Sequence, residues 1–212
     1  MLNLMHRQPR LIVFAMLLIV NGTNAFGTDP AVQAAQELTA ARATEALIRS
    51  RPADAGEWRK METIYRDLAK RYPRDVHVLN ACGSFLWDRG ELDAGEEFFR
   101  KAHALAPGNP DTLSSLGAAA LAAGDVRRAA EYYTKACSAA PENAPLHFNL
   151  ANVLFLFRRD LENATSLPDE RAILTKAMSH YAEACRLAPT NVEYARGRAE
   201  TFYSLPEPDW HA

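Results

Sequence analysis

The sequence predicts an all-α chain of stacked antiparallel helix pairs. Three observations carry that prediction. Landmarks recur at a spacing of 34 residues: Gly90 and Gly124 follow Gly56, Pro107 and Pro141 follow Pro73, and Phe99 and Tyr133 follow Tyr65. Asp75, Asn109 and Asn143 keep the same interval and stand where a helix would begin. Between these landmarks the apolar residues fall at helical intervals. A fixed period of this length marks a stacked array, with one helix pair per unit, rather than a globular fold around one catalytic centre.

Composition fits a folded array. The chain has 212 residues, is 48% hydrophobic and carries a formal charge of −2, so it is neither disordered nor strongly basic. The first residues differ in kind. Arg7 and Arg10 precede the unbroken apolar run LIVFAMLLIV at 11–20, and Thr23-Asn24-Ala25 offers small residues at cleavage-site spacing. This is the three-part pattern of a secretory signal over 1–25. The competing reading is an uncleaved membrane anchor, but the run spans only ~15 Å, about half a bilayer core. No Cys follows the run, so lipid anchoring is not indicated. The expectation is export to the periplasm or the medium. Cleavage removes both arginines and no acid, which takes the charge from −2 to −4. An acidic chain is a poor binder of phosphate backbones, so nucleic acid is not an expected partner.

The elements follow in order. Residues 26–53 hold an N-terminal helix and linker. Asp29 is its expected N-cap and Pro30 its first helical residue, with Leu38, Ala41 and Ile48 on one apolar stripe. Arg51-Pro52 ends it. A second helix over about 54–71 carries Trp58, Met61, Tyr65 and Leu68 on one face. Together they form a degenerate first repeat, in register at about 42–75. Repeats follow at about 76–109, 110–143 and 144–191, then a terminal helix at 192–205 and a tail at 206–212. The array proper runs over 54–205. Asp75, Asn109 and Asn143 cap first helices, because an Asx oxygen accepts a free N–H there; losing such a cap costs ~1 kcal/mol. Gly56, Gly90 and Gly124 are placed at corners, where a tight turn needs positive φ.

The pattern resembles the tetratricopeptide repeat family. Leu116-Gly117, Ala129, Tyr133, Ala136 and Pro141 match its signature. Cys82-Gly83, Phe99, Ala102 and Pro107 match one repeat earlier, and Leu150-Ala151, Ala177, Tyr181, Ala184 and Pro189 one later. The resemblance implies a right-handed α-solenoid of about four repeats plus a terminal helix. It departs from the pattern at Met61, at Arg198, and at Gly95, where Ala is usual and Gly should cost ~0.5–1 kcal/mol in a helix. The resemblance also implies a binding role, in which first helices line a concave groove for a peptide or protein partner. Register places Trp87, Leu121, Phe155 and Tyr203 at one groove position, with Phe148, Asn152 and Leu156 on the same surface. Asn152 is expected to bond a peptide backbone. The run FNLANVLFLF at 148–157 is apolar nearly all round, so neighbouring helices or a partner must cover it. Arg196 is the only cation at a groove position, so the carboxylate-clamp mode of some relatives is not expected.

The fourth repeat breaks the period: 48 residues separate Pro141 from Pro189, 14 more than the repeat. The excess lies near 158–171. Leu150, Leu154, Phe157 and Leu161 keep one helical face going, and Pro168 looks like the start of the next helix. Two lengthened helices with a tip near 162–167 are expected; the alternative is an irregular surface loop. The tip carries the sequon Asn163-Ala164-Thr165, relevant only in a eukaryotic secretory route.

No residues support an enzyme. His6, His77, His103, His147, His180 and His211 are scattered, none paired in sequence with another His, Cys or carboxylate at metal-ligand spacing. No metal or cofactor is expected. Cys82-Gly83-Ser84 falls inside a helix rather than on a nucleophile elbow. Glu96, Glu97 and Glu131 read as solvated helix faces. Cys82, Cys137 and Cys185 are an odd set and read as small buried residues. The expected function is therefore an exported interaction scaffold. Two alternatives remain: an interaction segment of a larger enzyme such as a repeat-bearing glycosyltransferase, or an architectural protein that self-associates through its C-terminal edge.

Overall fold

A computed structural model describes residues 29–162 and 169–205. Among these residues the regular structure is ten helices and no strand. The helices are α1 (Pro30–Arg49), α2 (Ala55–Arg71), α3 (Val76–Asp88), α4 (Leu92–Leu105), α5 (Pro110–Ala122), α6 (Val126–Ala139), α7 (Ala144–Leu156), α8 (Arg158–Leu161), α9 (Glu170–Leu187) and α10 (Val192–Ser204). The secretory-signal pattern, the sequon and the 206–212 tail lie outside the described residues. No described helix is long and apolar enough to cross a membrane.

Helix starts follow from short polar side chains. Asp29 Oδ1 accepts from Ala31 N at 2.9 Å. Asp54 and Glu57 form a reciprocal capping box. Asp75 accepts from His77 N and Val78 N at 2.9 and 3.0 Å. Asn109, Asn143 and Asn191 accept from Thr112, Leu146 and Glu193 N–H groups. Asp125 caps α6 in the same way, through Arg128 N at 3.0 Å. Gly90 and Gly124 take φ of 84° and 78° at the corners, the left-handed region a Cβ disfavours. Gly56 does not: it lies in the first turn of α2. The 34-residue recurrence is a coincidence there, because α1 and α2 are joined without a glycine corner.

The chain divides into two compact units, 1–81 and 82–212, with the boundary inside α3. In the first, α1 and α2 pack as a pair through Ala34, Leu38, Ala41 and Ile48 on one side and Met61, Tyr65 and Leu68 on the other. Glu45 and Glu37 on α1 accept from Tyr65 and Tyr72 hydroxyls at 2.6 and 3.0 Å, and Arg71 pairs with Glu37 at 2.5 Å. Burial first, and then the Glu45 charge, keep the Tyr65 phenol protonated well above its usual range.

In the second unit successive helices pack on one another: α4 on α5, α5 on α6, α6 on α7, α7 on α9, and α9 on α10. Small residues set the spacing. A Cβ on Gly117 would stand 2.9 Å from the Tyr133 ring, and one on Gly83 would stand 2.6 Å from Phe99. Tyr133, Leu150, Leu154, Leu161 and Ile173 share one core. Each fully buried large apolar side chain contributes ~1.5–3 kcal/mol. Glu96 and Glu97 pair with Arg100 and Lys101 one turn on, and Glu131 with Arg127 one turn back, as solvated faces do.

The insertion corrects one expectation. α7 is not lengthened; it ends at Leu156, and Phe157 leaves helical geometry at φ −111°, ψ 24°. A separate short helix, α8, then turns Leu161 into the core between α6, α7 and α9. α9 is longer than α4 and α6, at 18 residues against 14. Its cap is Asp169, which accepts from Ala172 N at 2.8 Å, so the helix begins at Glu170, later than the expected start. The expected tip near 162–167 lies, from 163 on, outside the described residues.

Candidate functional site

The residues expected to line a partner-binding face all lie on first helices of the second unit: Trp87 on α3, Leu121 on α5, Phe148, Asn152, Phe155 and Leu156 on α7, and Tyr203 on α10. The structure divides them by role. Trp87 is half-buried, its ring centroid 6.1 Å from that of Phe99. Leu121 and Phe155 are half-buried against the core. Phe148 sits between aromatic rings, 4.7 Å from Tyr194 and 5.8 Å from Tyr181. Asn152 is already engaged, because its Oδ1 accepts from the Tyr181 hydroxyl at 2.5 Å. Its carbonyl oxygen is therefore used in packing rather than held out for a peptide. Leu156 and Tyr203 are the exposed members, at 64% and 71%.

α7 is apolar nearly all round because α6, α9 and α10 all pack on it. Its C-terminal end is the part left uncovered, at Leu156. Arg158 stands beside that end. Its guanidinium lies 5.5 Å from the Phe155 ring centroid, donates to the Phe155 carbonyl at 2.9 Å and pairs with Glu170 at 2.6 Å. The cation–π contact was not legible in the sequence, where Arg158 belongs to the insertion. Arg196 pairs with Glu193 and Glu200 on its own helix. The face is thus an apolar and aromatic surface whose neighbouring cations are engaged within the chain.

A second cluster was missed altogether. His147 Nδ1 lies 2.9 Å from His180 Nδ1, the rings tilted by 33° with centroids 5.2 Å apart. His147 Nε2 lies 2.9 Å from the Pro141 carbonyl. A carbonyl only accepts, so Nε2 carries the hydrogen and Nδ1 accepts from His180. Burial first, and then the neighbouring His147, hold His180 down at about 4, so His180 is neutral near pH 7. Cys137 closes the group, its thiol pushed up to about 11 by burial. None of the three cysteines forms a disulfide; Cys82 and Cys137 are buried as expected, while Cys185 is only half-buried. The sequence hint was faint: Cys137 and His147 bracket Pro141, and His180 follows His147 by 33 residues.

Comparison with known proteins bears on the fold. The family model described as tetratricopeptide repeat matches residues 53–110 and 115–167, together more than half of the chain. A search of curated proteins gave no match. Among solved structures, MamA from Desulfovibrio magneticus RS-1 is similar at 17% identity and a TM-score of 0.57, over 79% of this chain and 85% of that one. YrrB, described as a TPR protein with an unusual peptide-binding site, is similar at 15% identity and a TM-score of 0.53, over 79% of this chain and 75% of that one. The first TPR of Spaghetti (RPAP3), solved with the HSP90 peptide SRMEEVD, gives 16% identity and a TM-score of 0.51, over 61% and 91%. At such identities the likeness speaks to the fold. The capped helix pairs, the glycine corners and the family match lead to one conclusion: this chain belongs to the tetratricopeptide repeat family.

Proposed function

We propose that this protein is a non-enzymatic interaction scaffold that holds a peptide or protein partner on the first-helix face of its second unit. The observation that carries the proposal is the exposure of two of the side chains in groove register, Leu156 and Tyr203, on helices whose Phe148 and Tyr194 rings are already locked in packing. A preformed aromatic base lowers the ordering cost of binding, and an exposed apolar rim supplies the contact area. Peptide binding by the similar YrrB and RPAP3 repeats supports the reading. Contact here would be apolar, since Arg158 and Arg196 are paired within the chain.

The test is affinity capture with Leu156→Glu and Tyr203→Glu against wild type. Both positions are exposed, so the variants should fold. Capture by the double variant is expected to fall at least tenfold, since each lost apolar anchor costs on the order of 1–2 kcal/mol. Undiminished capture would remove this face from the function. Phe155 and Trp87 are poorer choices, because a carboxylate there would also disturb packing.

Export belongs to the same proposal and is supported by the charged, apolar and small-residue pattern of 1–25. N-terminal sequencing of the protein from its own cells should find Phe26 first. A chain that keeps Met1 and stays in the cytosol would contradict export.

A further inference from the structure

Cys137 on α6, His147 on α7 and His180 on α9 belong to three different helices, yet one donor atom from each lies within 4.8 Å of the other two. Cys137 and His147 are buried and His180 is half-buried. The donors therefore sit in a largely dry place, where a thiol and two imidazoles have few other ligands to choose.

A second observation points the same way. The outer nitrogen of His147 is tied to the Pro141 carbonyl at 2.9 Å. That bond fixes the tautomer and leaves the Nδ1 lone pair directed at His180. Anchoring the far N–H of an imidazole on a backbone carbonyl is how metal-binding histidines are oriented. The anchor itself is set by the repeat, since Pro141 ends one helix pair and Asn143 caps the next helix, which carries His147 on its first turn.

We propose that Cys137, His147 and His180 form a binding site for a zinc-class divalent ion, with three protein ligands and a fourth position open to water. The donor set selects the metal class. A thiolate with two imidazoles suits Zn²⁺, whereas Mg²⁺ and Ca²⁺ require oxygen ligands.

The geometry is close to what binding needs. Tetrahedral zinc with bonds of ~2.0–2.3 Å separates its ligand atoms by about 3.3–3.6 Å. The two Nδ1 atoms, 2.9 Å apart, must open by about 0.4 Å, and no pair of donor atoms in the group, all within 4.8 Å of one another, has to close by more than about 1.3 Å, movements within reach of small side-chain rotations. The protons balance simply. The Cys137 thiol releases its proton to solvent as the sulfur–metal bond forms. His180 loses the Nδ1 proton it shares with His147 and takes one at Nε2, so the ring stays neutral. One proton leaves per ion bound, and no atom changes oxidation state.

The ion would tie α6 of the third helix pair to α7 and α9 of the fourth, the pair interrupted by the insertion. Binding to the folded state alone then stabilises that junction by mass action.

The experiment uses the full chain, reduced and stripped with a chelator, then titrated with Zn²⁺ and with Co²⁺. One equivalent of Zn²⁺ per chain and a midpoint of thermal unfolding that rises with free Zn²⁺ are expected. Co²⁺ should give a thiolate-to-metal charge-transfer band and strong tetrahedral d–d bands. Cys137→Ser should abolish the charge-transfer band and weaken Zn²⁺ binding at least 100-fold, and His180→Gln should weaken it at least tenfold. Cys185→Ser should leave both unchanged. Failure of the folded wild-type chain to retain Zn²⁺, an octahedral Co²⁺ spectrum without the sulfur band, or loss of that band in Cys185→Ser instead would each overturn the site. The wild-type spectrum decides the matter even if a variant does not fold.

Discussion

Truncating Tyr181 to alanine is expected to lower folding stability by about 3–5 kcal/mol. Tyr181 is 1% exposed and belongs to α9, which packs on both α7 and α10. Its ring meets Phe148 edge-on at 5.8 Å, and the backbone at Gly197 comes so close that a Cβ there would run into it. Its hydroxyl donates to Asn152. Burial, and then the Glu200 charge, push the phenol up to about 12, so it stays a donor across the accessible pH range. Alanine would leave a cavity between three helices and an unpaired amide oxygen. Tyr181→Phe keeps the ring and removes only the hydroxyl, so its loss should be ~1 kcal/mol. Denaturant unfolding of the two variants checks both numbers. A loss under 1 kcal/mol for alanine would mean that these helices do not pack as described.

Replacing Gly95 with alanine is expected to destabilise the protein by about 1–3 kcal/mol, against the preference of an isolated helix for alanine of ~0.5–1 kcal/mol. A Cβ on Gly95 would stand 2.9 Å from the Gly83 carbonyl oxygen, 3.2 Å from Trp87 N and 3.3 Å from Trp87 Cβ. Two of these three neighbours are backbone atoms and cannot rotate away, so α3 and α4 would have to separate. The melting temperature of Gly95→Ala checks the sign. A stabilised variant would show that the two helices have slack at this crossing.

Gly95 also marks the border between what the sequence discloses and what it does not. Local chemistry was legible. Asp29, Asp75, Asn109 and Asn143 each cap the helix that follows, because a cap needs only its own next turn. Gly90 and Gly124 turn at positive φ for the same local reason. Pairwise packing was not legible. The period counts Gly95 as a departure from alanine, while its cause is the Gly83 backbone twelve residues earlier. Asn152 looks available on a helical wheel, but Tyr181 occupies it from the neighbouring helix. The insertion misleads in the same way: the apolar spacing of Leu154, Phe157 and Leu161 suits one long helix, yet the chain breaks at Phe157 and brings Leu161 into the core on a separate turn. The Cys137, His147 and His180 group is the extreme case, since only the stacking of three helices brings it together.

The central functional claim is that the first-helix face of the second unit holds the partner. Hydrogen exchange on the chain with and without its captured partner tests this most directly. Slowed exchange is expected in amides of 152–157 and 199–204, around Leu156 and Tyr203, with α4 and α6 unchanged. Protection confined to α4 and α6, with α7 and α10 exchanging as in the free chain, would contradict it.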